Sequence, residues 1–259
     1  MFVGTAALIL LCLTVIVYSP QPQAMSPPLQ LDGLGTPPVF SSAGAVSQLL
    51  TTTKGNDVII LIVESLSSDT AISGIIDSNG LTFAKRVSYT VDSFTLSEYY
   101  SRATSPLESD NITVACNCPP GYFLISETRA LAIHGANTRA IFDRNPSIPA
   151  TCALSGCGDC SADRDLNPGT CSVSIQTSTI DFVMALTAIN DAPGCGGYPD
   201  SPAGYRPPPG FTTLTSDSTF ELDYMITTIP QSRVMFACNG TDAEAIMVDA
   251  ISFNGAFGF

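Results

Sequence analysis

Asp57-Val58-Ile59-Ile60-Leu61-Ile62-Val63-Glu64 is an unbroken apolar run, mostly β-branched, held between two carboxylates. It is too short for a buried helix, and branched side chains suit a pleated surface. A strand that is apolar at every position has no solvated face, so this one is expected to be covered on both sides. The texture stays β on either side of it. Val39-Phe40-Ser41-Ser42-Ala43 opens as a strand. Ile75-Ile76-Asp77-Ser78-Asn79-Gly80-Leu81-Thr82-Phe83 sets Asn79-Gly80 between apolar segments, the strongest short-range hairpin signal. Residues 96–101, 111–116, 122–126 and 131–134 are each strand-length, and so are 172–176, 181–188, 220–226, 233–238 and 245–253. No amphipathic helix longer than a turn or two interrupts them. About ten such segments predict an all-β sandwich.

Two stretches break the pattern. Residues 143–171 carry four cysteines, three prolines and several Asp and Asn residues, and residues 190–210 carry Cys195 and the run Pro207-Pro208-Pro209. Both read as long loops, the proline run as a rigid one. No linker-like break follows residue 38, so residues 39–259 are expected to form one β-sandwich domain. Residues 19–38 are Pro-, Gln- and Gly-rich with Asp32 as their single charge, and read as an extended tether. Residues 1–18 are an apolar segment ended by Pro20 and Pro22. The run from Phe2 to Val17 is long for a signal-peptide core and short for a membrane span of about 20 residues. A cleaved export signal, a retained anchor and a hydrophobic helix packing against its own copies all fit it.

The chain has 259 residues, 45% of them hydrophobic and 13% charged, with 10 basic against 23 acidic residues and a net charge of −13. It has two lysines, Lys54 and Lys85. No basic stripe for nucleic acid can be assembled from that set. There is one histidine, His134, and no tryptophan. His134 lacks a Gly-x-Ser-x-Gly partner and reads as a hydrogen-bonded residue at a strand end. A glycoside-cleaving carboxylate pair would need partners that spacing does not single out. The chain is therefore read as a non-enzyme.

Nine cysteines are present, Cys12 within the apolar segment and Cys116, Cys118, Cys152, Cys157, Cys160, Cys171, Cys195 and Cys238 beyond it. Eight cysteines behind an export-like segment point to an oxidising compartment and up to four disulfides. Cys157-x2-Cys160 would also suit zinc, but no second close pair completes a tetrahedral set. Cys116 and Cys118 are expected to bond separate partners rather than each other. Asp163, Asp165 and Asn167 offer oxygens at alternate positions before Pro168-Gly169, with Asp159 nearby, as a structural calcium loop would. No Glu follows at the closing position, which is Ser174. No other cofactor is implied. Asn111-Ile112-Thr113 and Asn239-Gly240-Thr241 are acceptors for N-glycosylation at Asn111 and Asn239.

The order of these segments resembles the jelly-roll β-sandwich domains of exported prokaryotic and viral surface proteins. The resemblance rests on the Pro-Pro-Val-Phe opening, the strand Asp57-Val58-Ile59-Ile60-Leu61-Ile62, the turn Asp77-Ser78-Asn79-Gly80, and Pro208-Pro209-Gly210-Phe211-Thr212 before the closing strands. Phe83 stands where that family carries Trp, and the cysteine-rich loop is a further departure. The layout is also similar to archaeal thread and bundling-pilus subunits. That resemblance implies a jelly-roll-like antiparallel β-sandwich, to which the residues themselves add two long disulfide-stapled loops and an N-terminal hydrophobic helix or signal. It implies an extracellular filament or surface-layer subunit that polymerises with copies of itself by donating a strand. Residues 29–50 would supply the strand, with Leu29, Leu31, Val39 and Phe40 filling a neighbour's groove. The membrane would enter only through export or anchoring of the N-terminal segment. The competing expectation is an anchored monomeric adhesin that binds through the two long loops.

Overall fold

A computed structural model describes residues 28–41, 44–66, 72–91, 94–119, 124–153, 170–189, 210–216, 220–239 and 243–255. Among them there is no helix, and sixteen strands form antiparallel sheets. The first nine are β1 (Gln30–Leu34), β2 (Val39–Phe40), β3 (Val46–Leu50), β4 (Asp57–Ser65), β5 (Ile72–Ile76), β6 (Ala84–Val91), β7 (Phe94–Ala103), β8 (Asp110–Cys116) and β9 (Ile125–His134). The remaining seven are β10 (Ala150–Ala153), β11 (Thr170–Ile175), β12 (Asp181–Ile189), β13 (Thr212–Ser216), β14 (Phe220–Ile226), β15 (Val234–Asn239) and β16 (Ala243–Ser252).

The strands lie in four sheets, and each half of the chain supplies two. The N-terminal half builds an inner sheet, β1-β9-β4-β7-β6, and an outer sheet, β2-β3-β8-β5. The C-terminal half builds an inner sheet, β10-β16-β12-β14-β13, and an outer pair, β11-β15. Three apolar clusters sit between these layers. Ile60, Ile62, Leu96 and Leu131 meet Phe182, Met184, Leu222 and Met247 where the two inner sheets face. Ile59, Leu61 and Ala132 pack on Leu50, Ile112 and Val114 of the outer N-terminal sheet. Val183, Ala185 and Val248 pack on Val173, Ile175 and Phe236 of the outer pair.

Period-two alternation sends neighbouring residues of β4 to different clusters, and β4 is buried along its whole length as its apolar run requires. The antiparallel sheets packed face to face fit the expected β-sandwich, and covered faces on both sides of β4 and of β12 bring its layers to four. Residues 136–143 run beside the end of β16, with bridges Ala136–Phe253 and Phe142–Ile251, and carry the chain from one half to the other.

Several local expectations are corrected. Asn79-Gly80 does not close a hairpin. β5 before it pairs with β8, and β6 after it pairs with β7, so the turn carries the chain between sheets. Asp77 Oδ1 accepts the Asn79 N–H, Asp110 Oδ1 accepts from the Ser78 amide and hydroxyl, and Gly80 takes a φ of 80° that suits glycine. Residues 122–126 and 131–134 are not two strands; residues 125–134 are continuous as β9. β3, β6, β10 and β13 lie where no strand is read in the sequence, β10 within the stretch 143–171 read as a long loop. The part of the tether from Gln30 to Leu34 is β1, paired with β9. The hydrophobic segment 1–18 and the loop 190–210 lie outside the described residues.

β1 fits its place closely. A Cβ on Gly33 would lie 2.5 Å from the carbonyl oxygen of Thr51, a backbone atom with no room to yield. Gly33→Ala is therefore expected to cost about 1–3 kcal/mol through overpacking. Urea denaturation checks the cost. Amide exchange should show the loss of protection falling on the β9 residues 131–134.

Candidate functional site

The β1 seat brings together most of the predicted contact residues. Leu29 is buried in the central cluster and Leu31 packs against it, so both fill this chain's own core, where the sequence reading sends them into a neighbour. The reason is register: Leu31 pairs with Ile133 on β9, at the free edge of the inner sheet. Asp32 clamps the strand from the side. Its Oδ2 accepts from the Thr53 and Lys54 amides at 2.8 and 2.9 Å, and its Oδ1 from the Thr53 hydroxyl at 2.6 Å. Burial works to raise its pKa, but the Thr53 and Lys54 hydrogen bonds outweigh it and hold Asp32 below the usual range.

At the foot of the seat, His134 Nδ1 lies 2.8 Å from Asp57 Oδ1, with Gln30 of β1 opposite His134. Burial raises the Asp57 pKa in spite of that bond. The pair ties the end of β9 to the start of β4, as expected of a strand-end histidine.

Val39 and Phe40 sit apart from Leu29 and Leu31. They form the short edge strand β2 and are exposed. Val39 pairs with Ser47, Ser47 with Thr113, and Thr113 with Ile76. Alternation places this row on the outward face of the outer sheet, where Val39, Ile76 and Leu49 are the large exposed apolar side chains. Asn111 stands exposed on the same face, opposite Leu49. Thr113 of its acceptor motif shares a hydrogen bond with Ser47 at 2.9 Å.

A second open edge lies on the other margin of the inner sheet. β6 begins at Ala84 opposite Tyr100, so β7 from Ser101 to Ala103 has no ladder partner on that side. A shallow groove of about 440 Å³ follows it, lined by Asn79, Leu81, Thr82, Tyr100 and Arg102.

Cys116 and Cys118 are bonded to each other, contrary to the expectation of separate partners. Two residues along an extended strand are about 6.6 Å apart. β8 stops at Cys116, and beyond it the chain leaves the extended line so that the two Cα atoms lie 5.2 Å apart, within disulfide range. Cys152 on β10 is also disulfide-bonded. The β11–β15 register sets Cys171 opposite Cys238. Cys157, Cys160, Cys195, Asp163, Asp165 and Asn167 lie outside the described residues, as does the side chain of Asn239. Among the described residues no group of three or more His, Cys, Asp or Glu is placed to hold a metal ion. Among them, too, no helix is long and apolar enough to cross a membrane.

The sequence reading misses a set of carboxyl groups carried inward. Glu98 on β7 and Asp249 on β16 face each other from the two inner sheets, both fully buried, with Arg86 Nε 2.9 Å from Asp249 Oδ2. The Arg86 guanidinium stacks 4.1 Å from the Phe142 ring centre. Glu64, Glu127 and Arg129 lie further along the same layer, where Ser126 donates to Glu64 at 2.7 Å and Arg129 Nη2 donates to Thr215 across the gap at 3.2 Å. Asp143 and Asp181 form another pair. Burial, reinforced by Asp143, pushes Asp181 up to about 7. Glu221 and Asp223 share the other face of β14, and burial raises Asp223.

The site thus comprises a seated edge strand, exposed apolar strand surface and buried acid pairs within an all-β protein. No protein-family model matches the chain, and no curated protein or solved structure is significantly similar to it.

Proposed function

We propose that the chain is a structural subunit of an extracellular filament or surface layer, joined to copies of itself through exchange of an N-terminal strand. The observation that carries this reading is the β1 seat. β1 is an edge strand held by two apolar anchors and one carboxylate clamp, contacts that serve equally when the strand comes from the same chain or from a second copy. The exposed edge strand β2, with Val39 and Phe40, supplies a second apolar contact. The net charge of −13 keeps unassembled copies apart. The alternative, an anchored monomeric binding module, is favoured by β1 closing on β9 of its own chain.

Sizing and negative-stain microscopy of the native protein separate the two. Rods or sheets of repeating units are expected, and deletion of residues 28–36 should abolish them. The truncated body should then take up a synthetic peptide of residues 28–36 into the empty seat. Dispersed monomers at every concentration would exclude strand exchange and leave the binding module.

A further inference from the structure

We propose that the contact between the two inner sheets is a proton-dependent clasp, in which Glu98 and Asp249 hold the halves together while a proton lies between them and push them apart when it leaves.

The geometry forces a count of charge. Asp249 takes the Arg86 guanidinium and the backbone amide of Ala250, so its negative charge is met. Neither carboxyl oxygen of Glu98 receives an N–H or O–H donor. With one proton on Glu98, the carboxyl donates to Asp249 and the trio with Arg86 is neutral. Without that proton, two fully buried carboxylates share one cation, which is strongly unfavourable.

The other titratable and charged groups facing this layer make contacts of their own. Glu64 comes from β4, Glu127 and Arg129 from β9, Tyr89 from β6, Tyr100 from β7 and Tyr224 from β14, while β12 offers Phe182, Met184 and Leu186. Arg129 is engaged with Glu127 at 3.4 Å and with Thr215.

Burial holds the Glu98 pKa well above the usual carboxyl range, and the charge of Asp249 adds to the effect. The sign follows. At a pH between the unfolded and folded values, the folded chain carries a proton that the unfolded chain has lost, so stability falls as pH rises through that window. Asp181, raised to about 7 from 3.8, acts in the same direction. Asp32 and Asp143 are lowered and act oppositely, but only as pH falls below the ordinary carboxyl range. The clasp is therefore tightest in a mildly acidic medium.

The test is thermal unfolding of the full chain between about pH 4 and about pH 8, for the wild type and Glu98→Gln. The wild-type midpoint should fall by about 5 °C or more across that range. Glu98→Gln, whose amide donates to Asp249 without a titrating proton, should match the wild type at acid pH. It should exceed the wild type by about 3 °C or more at the alkaline end. Asp249→Asn, which likewise cannot carry two negative charges in the pair, should show the same flattening if Glu98→Gln fails to fold. Limited proteolysis of the connector at residues 137–140 should quicken with pH in the wild type and less so in either variant. A midpoint that rises with pH, or variants that track the wild type at every pH, would overturn the clasp.

Discussion

Arg86→Ala is expected to destabilise the chain by about 3–5 kcal/mol near neutral pH. The substitution leaves Asp249 buried beside Glu98 with no cation to meet its charge. It also removes the guanidinium from the Phe142 ring, a contact that bridges the edge of one inner sheet and the connector. For a chain of this size the loss corresponds to roughly 6–20 °C in the thermal midpoint. The deficit should shrink in acid, where both carboxyl groups are protonated and no charge is stranded. Adding Asp249→Asn should recover part of it at neutral pH, because the uncompensated charge disappears with the carboxylate. Urea denaturation of the single and double variants at two pH values checks all three statements. A deficit independent of pH would show that Arg86 acts through packing alone.

Phe182→Ala is expected to cost a similar amount, about 3–5 kcal/mol, by a different route. Phe182 is fully buried between the inner sheets and stacks on Tyr224 with ring centres 4.9 Å apart and planes 11° from parallel. Its neighbours along the ladder, Ile226 and Ile251, belong to strands paired on both sides of β12. That framework cannot collapse into the space, so the cavity term persists. The cost should be nearly the same in acid and at neutral pH, in contrast to Arg86→Ala. Ile229→Ala is the control: Ile229 is 62% exposed, and its truncation should fall within about 0.5 kcal/mol of the wild type. Equilibrium denaturation measures both.

What the sequence revealed follows from how local each signal is. The run from Val58 to Val63 specifies a strand and its two-sided burial by composition alone, and β4 is central in its sheet. Asn79-Gly80 specifies a turn but not which strands pair beyond it; the sheet change is decided by Ile75 meeting the distant Val114 while β6 folds back on β7 next to it in sequence. β1 is hidden because Gln30-Leu31-Asp32-Gly33-Leu34 stands between proline pairs and contains glycine, both unfavourable for a strand by propensity. Its pairing partner is a hundred residues away. The carboxyl pairs left a faint mark. Asp249 stands within an apolar run, and Glu221 and Asp223 alternate with Phe220, Leu222 and Tyr224. An acid among apolar strand residues signals inward polarity, but its companion lies on another strand and no spacing names it.

The ladders of the two halves are separate apart from the bridges near residues 136 and 142, and this has a consequence during synthesis. The ribosome delivers the whole of the first inner sheet before β12 and β16 exist, and domains tend to fold in the order they emerge. For that interval Ile60, Ile62, Leu96 and Leu131 present a bare greasy plane to water. Glu64, Glu98 and Glu127 lie in the same plane, three carboxyl groups that water reaches while it is open. Glu98, which weakens the finished molecule at high pH, thus helps its two neighbours keep the unfinished half wetted and apart from other nascent chains.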